Sequence, residues 1–434
     1  MFDTGGTMAA RRASRRHFIK EGAVFAGGLA GGMAIGANAA SGQGLGAPRP
    51  GGVVDHPMAY GERSRFVQTV RTPMTMIGHI DLHGHPDGLD ARTPLSELTG
   101  TITPSALHYV SSHGNNPPDI DPREHRLMVY GMVDRPLVFT MEDLTRLPSV
   151  TRTHFIECIA NSPRPEEKTL DEMHGMVGCS EWTGVPLSVL LDEVGVKDGA
   201  GWVLSEGAEA TKLGASMPLG KAMDDVLVAY GQNGEPIRPH QGFPLRLVVP
   251  GFQGKYHVKW LQRIKLVDRP YITYWEKHSY TKRQGSRRTG PNRMSNSHVA
   301  GAGAYFMEQG PKSVITFPSG EQRLPGRGYY TLTGLAWSGS GTVRRVEVST
   351  DGGRTWTDAK LQEPLQRIAL TRFTLPWTWN GEEALLMSRC TDDQDQVQPT
   401  ADEFPDFWGT SGAPHGNQIQ PWRVASDGTV HNAV

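Results

Sequence analysis

The sequence predicts an α+β protein in two parts, a mixed α/β domain followed by a β-sandwich. Three observations lead there. The chain has 434 residues, more than one hydrophobic core usually organises. Its earlier part mixes short apolar runs with one clear amphipathic helix, and from Ser313 onward only strand patterns remain.

Residues 41–57 are Gly, Pro and polar residues, the composition of an extended arm. Between 69 and 150 short apolar runs, Arg126-Leu127-Met128-Val129-Tyr130-Gly131 and Pro136-Leu137-Val138-Phe139-Thr140, are separated by turn residues. Residues 141–147 have room for one or two helical turns before Pro148 ends them. In Leu187-Ser188-Val189-Leu190-Leu191-Asp192-Glu193-Val194 the apolar residues fall at helical spacing, with Gly195 just past the end. Residues 245–249 read as a strand. The aperiodic, polar stretch 271–303 reads as surface loop and a crossing segment. Strands are then expected at 330–337 and at 343–349, where Val346 and Val348 alternate, followed by the hairpin turn Asp351-Gly352-Gly353. Further strands at 367–375 and 383–389 complete a sandwich of about 110 residues.

The first residues carry an export signal. Ser14-Arg15-Arg16-His17-Phe18-Ile19-Lys20 precedes a glycine-rich, weakly apolar run and the small-residue site Ala37-Asn38-Ala39, the pattern of a twin-arginine peptide. That route carries folded proteins, so the mature chain is expected in the periplasm with a cofactor installed before export. Removing residues 1–39 leaves 39 basic against 43 acidic residues, a balance that does not favour nucleic acid. No later apolar run approaches the roughly 20 residues of a membrane helix. The expected organisation is a signal peptide at 1–39, an arm at 40–65, a mixed α/β domain at 66–308, a sandwich at 309–425 and a tail at 426–434.

Three cysteines, Cys158, Cys179 and Cys390, leave at least one unpaired where disulfides normally form. Such a thiol is expected to be buried or bound to metal. Cys390, in a strand-like run, reads as a core thiol. Cys158 follows an apolar strand and opens the loop Ile159-Ala160-Asn161-Ser162-Pro163-Arg164, where a cleft would receive it, although a buried structural cysteine has the same pattern. In residues 241–261, Arg246, Lys255, His257 and Lys259 interrupt apolar runs, and charges near a core require anionic partners. A phosphate would satisfy them, with amides of the loop 251–254 as further donors. The histidines His79, His83 and His85 lie in an irregular stretch with no matching ligand set, so no second metal is expected.

These segments together, with Trp182-Thr183-Gly184-Val185-Pro186-Leu187 and Arg344-Arg345-Val346-Glu347-Val348-Ser349-Thr350-Asp351-Gly352-Gly353, resemble the sulfite oxidase family of molybdenum enzymes. The resemblance implies a molybdopterin-binding domain followed by an Ig-like dimerisation domain. It implies that Cys158 gives a thiolate to molybdenum, and that His113, Arg246, His257, Lys259 and Lys255 hold molybdopterin or its phosphate. Tyr280 and Arg423 match the family's active-site tyrosine and a substrate-pocket arginine, with Arg164 as a further candidate. Where sulfite oxidases place an arginine, this chain has Ser111, and an Asp-His pair has become His240-Gln241. Losing one charge-assisted anion clamp removes about 1.5 to 3 kcal/mol, so free sulfite is expected to bind poorly.

Within the family the chain resembles the molybdenum subunits of sulfane dehydrogenases. That implies oxidation of carrier-protein-bound sulfane sulfur by oxo transfer from molybdenum. No CxxCH haem motif is present, so electrons are expected to pass to a c-type cytochrome subunit, and the sandwich is expected to make a homodimer. A sulfite dehydrogenase, a molybdenum reductase and a cofactor-free periplasmic binding protein are the alternatives.

Overall fold

One mixed and one antiparallel sheet, with four short helices, form the N-terminal part of the computed structural model, which describes residues 63–74, 90–112, 117–164, 166–209, 212–273, 293–294, 305–306, 308–405 and 415–434. The expected export signal and the residues His79, His83, His85, His113 and Tyr280 lie outside the described residues. In chain order the principal strands are β1 (Arg126–Gly131), β2 (Leu137–Thr140), β3 (Val150–Glu157), β4 (Val177–Pro186), β5 (Trp202–Gly207), β6 (Gly214–Pro218), β7 (Leu227–Gln232), β8 (Arg246–Val248) and β9 (Leu261–Val267). The helices are α1 (Met141–Arg146), α2 (Leu170–His174), α3 (Leu187–Val194) and α4 (Leu219–Asp224).

One sheet has the order β2-β1-β9-β5-β6, and in the other β7-β4-β3 are neighbours, with β8 also pairing β7. The single parallel contact among these is β1 with β9, which joins strands far apart in sequence and so links β2-β1 to β9-β5-β6 in one sheet. Helix α3 follows the apolar spacing read from the sequence: Leu187, Leu190, Leu191 and Val194 are all buried. Helix α1 is capped by Thr140, whose hydroxyl accepts from the Asp143 amide while the Asp143 carboxylate accepts from the Thr140 amide.

The C-terminal strands are β10 (Lys312–Phe317), β11 (Gly328–Trp337), β12 (Val343–Ser349), β13 (Thr371–Trp379), β14 (Ala384–Asp392), β15 (Trp422–Val424) and β16 (Val430–Asn432). They form two antiparallel sheets, β10-β11-β13 and β12-β14-β15-β16, each completed by a two-residue strand. The Asp351 turn reverses the chain, so that Val348 pairs with Thr357. Gly352 and Gly353, at φ +74° and +85°, adopt the left-handed backbone there that a side chain resists.

Residues Val67–Val434 form a single unit. The sandwich core of Leu335, Trp337, Phe373 and Cys390 continues into Leu95, Phe155, Leu170 and Cys179 from the N-terminal part, whereas α3 and β9 build a separate N-terminal core. Cys390 is the buried core thiol expected from its strand, and Cys179 is buried in the same cluster. No described helix is long and apolar enough to cross a membrane.

Candidate active site

Cys158 stands at the end of β3, where the strand enters a tight turn. Its amide donates to Met176 O at 3.0 Å and its carbonyl accepts the Asn161 amide at 3.0 Å. Gly254 presses on this turn from the facing loop: a Cβ there would lie 3.1 Å from Glu157 O and from the Tyr109 hydroxyl, and 3.2 Å from Cys158 Cα. The half-buried thiol lines a cleft with Arg246, Lys255, Lys259, Ser111 and Glu209. Burial pushes its pKa up to about 11, Asp90 and Glu157 add to the rise, and the Ala160 amide and Ser111 hydroxyl oppose it. A thiolate at this position therefore needs a cation to neutralise it, which a metal supplies.

Arg246 is buried, and its guanidinium lies 4.9 Å from the Trp182 ring. Its partners are the carbonyls of Gln241 (2.8 Å), Leu247 (3.3 Å) and His257 (3.2 Å), and Gln241 Oε1 (3.2 Å). All are neutral acceptors, so the charge is oriented but not cancelled, and burial lowers its pKa to about 10. Gln241, one of the departures noted in the sequence, thus holds the arginine in place and donates its own amide to Tyr109 O at 2.7 Å. The Lys259 ammonium donates to Ser111 O at 3.0 Å and His240 O at 3.1 Å. Burial, then the Arg246 charge, lower it to about 7, against pulls from Asp90, Glu209 and Cys158. Trp260, next to it, has φ +51°, a sparsely populated conformation for a bulky residue, held by its indole N–H on Pro239 O at 3.0 Å. Lys255 lies 4.4 Å from the Tyr256 ring.

Several expectations change. His257 lines the cleft, but Nδ1 accepts the Val249 amide at 3.2 Å and Nε2 donates to Phe252 O at 3.1 Å; both nitrogens serve the loop and neither is left for a phosphate. The loop 251–254 is also only partly available. Gly251 O accepts the Gln309 amide and Gly251 abuts Gly339, and the Phe252 amide donates to Val249 O, so this end faces the sandwich. Arg423 does not reach the cleft. It lies on β15 between buried Trp422 and Val424, which turns it outward to an exposed pair with Glu383 at 3.5 Å. Arg164 does not line the cleft either; its amide donates to Glu167 Oε2 at 3.1 Å.

Two buried residues of the cleft were not singled out from sequence. Glu209 accepts the Leu213 amide at 2.6 Å through Oε1, while Oε2 has no hydrogen-bond partner, and burial raises its pKa. His108 donates from Nδ1 to Tyr109 O at 3.2 Å and stacks on the Tyr109 ring at 5.1 Å. For the first, the local signal is a carboxylate two residues past the end of β5. The second reads as an ordinary apolar-run histidine.

The cleft fits a molybdenum-bearing molybdopterin: a soft thiolate donor on one wall, three cations for a phosphate, and a carboxylate oxygen able to accept from a heterocycle's N–H. Residues 113–275 match the oxidoreductase molybdopterin binding domain, and residues 305–414 match the Mo-co oxidoreductase dimerisation domain. The crystal structure of the sulfane dehydrogenase SoxCD from Paracoccus pantotrophus is 38% identical, with a TM-score of 0.77, over 88% of this chain and 95% of that one. Mitochondrial sulfite oxidase of Mus musculus is 32% identical over 353 residues, 74% of this chain and 62% of that protein. NADH nitrate reductase of Solanum lycopersicum is 36% identical over 329 residues, 68% of this chain and 34% of its own length. The chain thus spans about a third of the nitrate reductases it matches. A cofactor-free binding role is overturned by these matches: the cofactor is molybdenum-molybdopterin, and the chain belongs to the sulfite oxidase family of molybdenum oxidoreductases.

Proposed function

We propose that this chain is the molybdenum subunit of a periplasmic sulfane dehydrogenase, exported folded by the twin-arginine route. In this reading it dimerises through its sandwich, takes sulfane sulfur carried on a partner protein, and passes electrons to a c-type cytochrome subunit. Bound molybdenum supplies oxygen-atom transfer to sulfur and accepts the electron pair. The chain's own part is to hold and screen. Cys158 anchors the metal, Lys259 and Lys255 face the anionic end of the cofactor, and Arg246 maintains a positive wall while its donors are tied to carbonyls. Tyr280 is assigned to hydrogen-bond the substrate oxygen.

The observation that carries the substrate choice is Ser111. Its hydroxyl bonds the Cys158 thiol and its carbonyl takes Lys259, where sulfite oxidases are expected to present an arginine. Arg164 and Arg423 do not line the cleft, so among the described residues no uncommitted guanidinium stands beside Cys158 to clamp a dianion. A larger and less charged sulfur group suits that surface better than free sulfite. Turnover of a persulfidated carrier protein and of free sulfite by the metal-loaded protein, with cytochrome c as acceptor, tests this. The carrier-bound substrate is expected to give the larger kcat/KM; a larger value for sulfite makes the chain a sulfite dehydrogenase.

A further inference from the structure

Glu157, the residue before Cys158, ends β3 with its side chain wholly buried. The sandwich side holds its carboxylate. Lys312 Nζ donates to Oε1 at 2.9 Å, Trp337 Nε1 donates to Oε2 at 2.8 Å, and Gln309 Nε2 donates to the Glu157 carbonyl at 3.2 Å. His415 Nδ1 stands 3.9 Å from Oε2. From the other side the cysteine loop closes on the same group: Asn161 Nδ2 donates to Oε1 at 2.7 Å, and Lys312 Nζ also donates to Asn161 O at 2.8 Å.

Asn161 then returns to the cysteine. Its amide donates to Cys158 O, its Oδ1 accepts the Met176 amide at 2.9 Å, and Met176 O accepts the Cys158 amide. A continuous hydrogen-bonded path therefore runs from Lys312 and Trp337 to the peptide groups on both sides of Cys158. A fully buried ion pair is an expensive way to hold two parts together, since apolar residues of similar volume often serve stability equally well. Its place, one residue from the cleft thiol, points to a role in directing that thiol.

We propose that Glu157 is a positioning residue through which the sandwich fixes the direction of the Cys158 sulfur and lowers the reduction potential of the metal bound there. This rests on Cys158 being the metal's thiolate ligand. A fixed negative charge adjoining that ligand favours the more oxidised, more positive metal, and among the described residues Lys312 reaches the cysteine through Glu157 and Asn161.

The test uses the full, metal-loaded protein with Glu157→Gln, with Glu157→Gln combined with Lys312→Met, and with Gln309→Leu. Gln keeps the side-chain shape, the double variant buries no unpaired ammonium, and Gln309→Leu removes only the bond to the Glu157 carbonyl. Molybdenum per chain, the midpoint potential and the electron paramagnetic resonance spectrum of the half-reduced metal are measured. Glu157→Gln is expected to raise the potential, lowering the ratio of oxidised to reduced metal about tenfold at a fixed applied potential. The double variant is expected to fall between it and the parent with an altered spectrum, and Gln309→Leu to alter the spectrum alone. Parental potential and spectrum in the double variant and in Gln309→Leu overturn the proposal, whether or not Glu157→Gln folds. Cys158→Ser tests the ligand assignment separately: a parental X-ray absorption spectrum in that variant removes the assignment itself.

Discussion

His257 Nδ1 accepts the Val249 amide, so its ring proton sits on Nε2 and goes to the Phe252 carbonyl. This neutral imidazole ties β8 to the loop that presses on Cys158. His257→Phe keeps the ring and orphans two buried backbone groups, at about 1–3 kcal/mol each. Denaturant unfolding of the variant is expected to show that loss, with cofactor content falling as a consequence. Unchanged stability with lost cofactor makes His257 a direct ligand instead.

Lys259 donates twice to carbonyls and keeps a third N–H for an anion. Because burial and Arg246 hold its pKa near 7, an anion arriving beside it raises that pKa and draws in a proton. Cofactor affinity is therefore expected to be highest below about pH 7 and to weaken above it. Lys259→Met should lower molybdopterin per chain at least about tenfold, the loss of one charge-assisted bond, as measured by pterin fluorescence after denaturation.

Arg423→Ala is expected to leave kcat and KM unchanged and to cost no more than about 1 kcal/mol, because its pair with Glu383 is exposed. Steady-state kinetics with the carrier-bound substrate check it. A large fall in kcat/KM returns Arg423 to the substrate path.

Burial lowers His108 to about 3 and His154 to about 4, and puts His174 well below its ordinary value. The unfolded chain takes up these protons near pH 6.5 and the folded chain resists. Their contribution is complete above about pH 6.5 and is lost as the pH falls towards 4, at about 1.4 kcal/mol per pH unit for each residue. Unfolding midpoints between pH 7.5 and 4.5 should fall accordingly, and a flat profile contradicts the burial of neutral rings.

Local pattern was enough wherever a residue's environment follows from its neighbours in the chain. Leu187, Leu190, Leu191 and Val194 repeat at helical spacing, and α3 forms where they predict. The strand 343–349 and its Asp351 turn are equally self-contained. The charged interruptions at Arg246, Lys255 and Lys259, with Cys158 at a strand end, marked the cleft because charge in an apolar run demands a partner. Arg423 was misplaced although its flanks carry the signal: Trp422 and Val424 alternate inward, which sends it out.

By itself the sequence determined the order of the two parts, the helix and hairpin that repeat locally, and the thiol and cations that suit a metal cofactor. Only tertiary structure decided which of those groups are spent on backbone and which face the cleft. Glu157 meets Lys312 across 155 residues and Lys259 meets Ser111 across 148, and no short-range pattern encodes a hydrogen bond made at that separation.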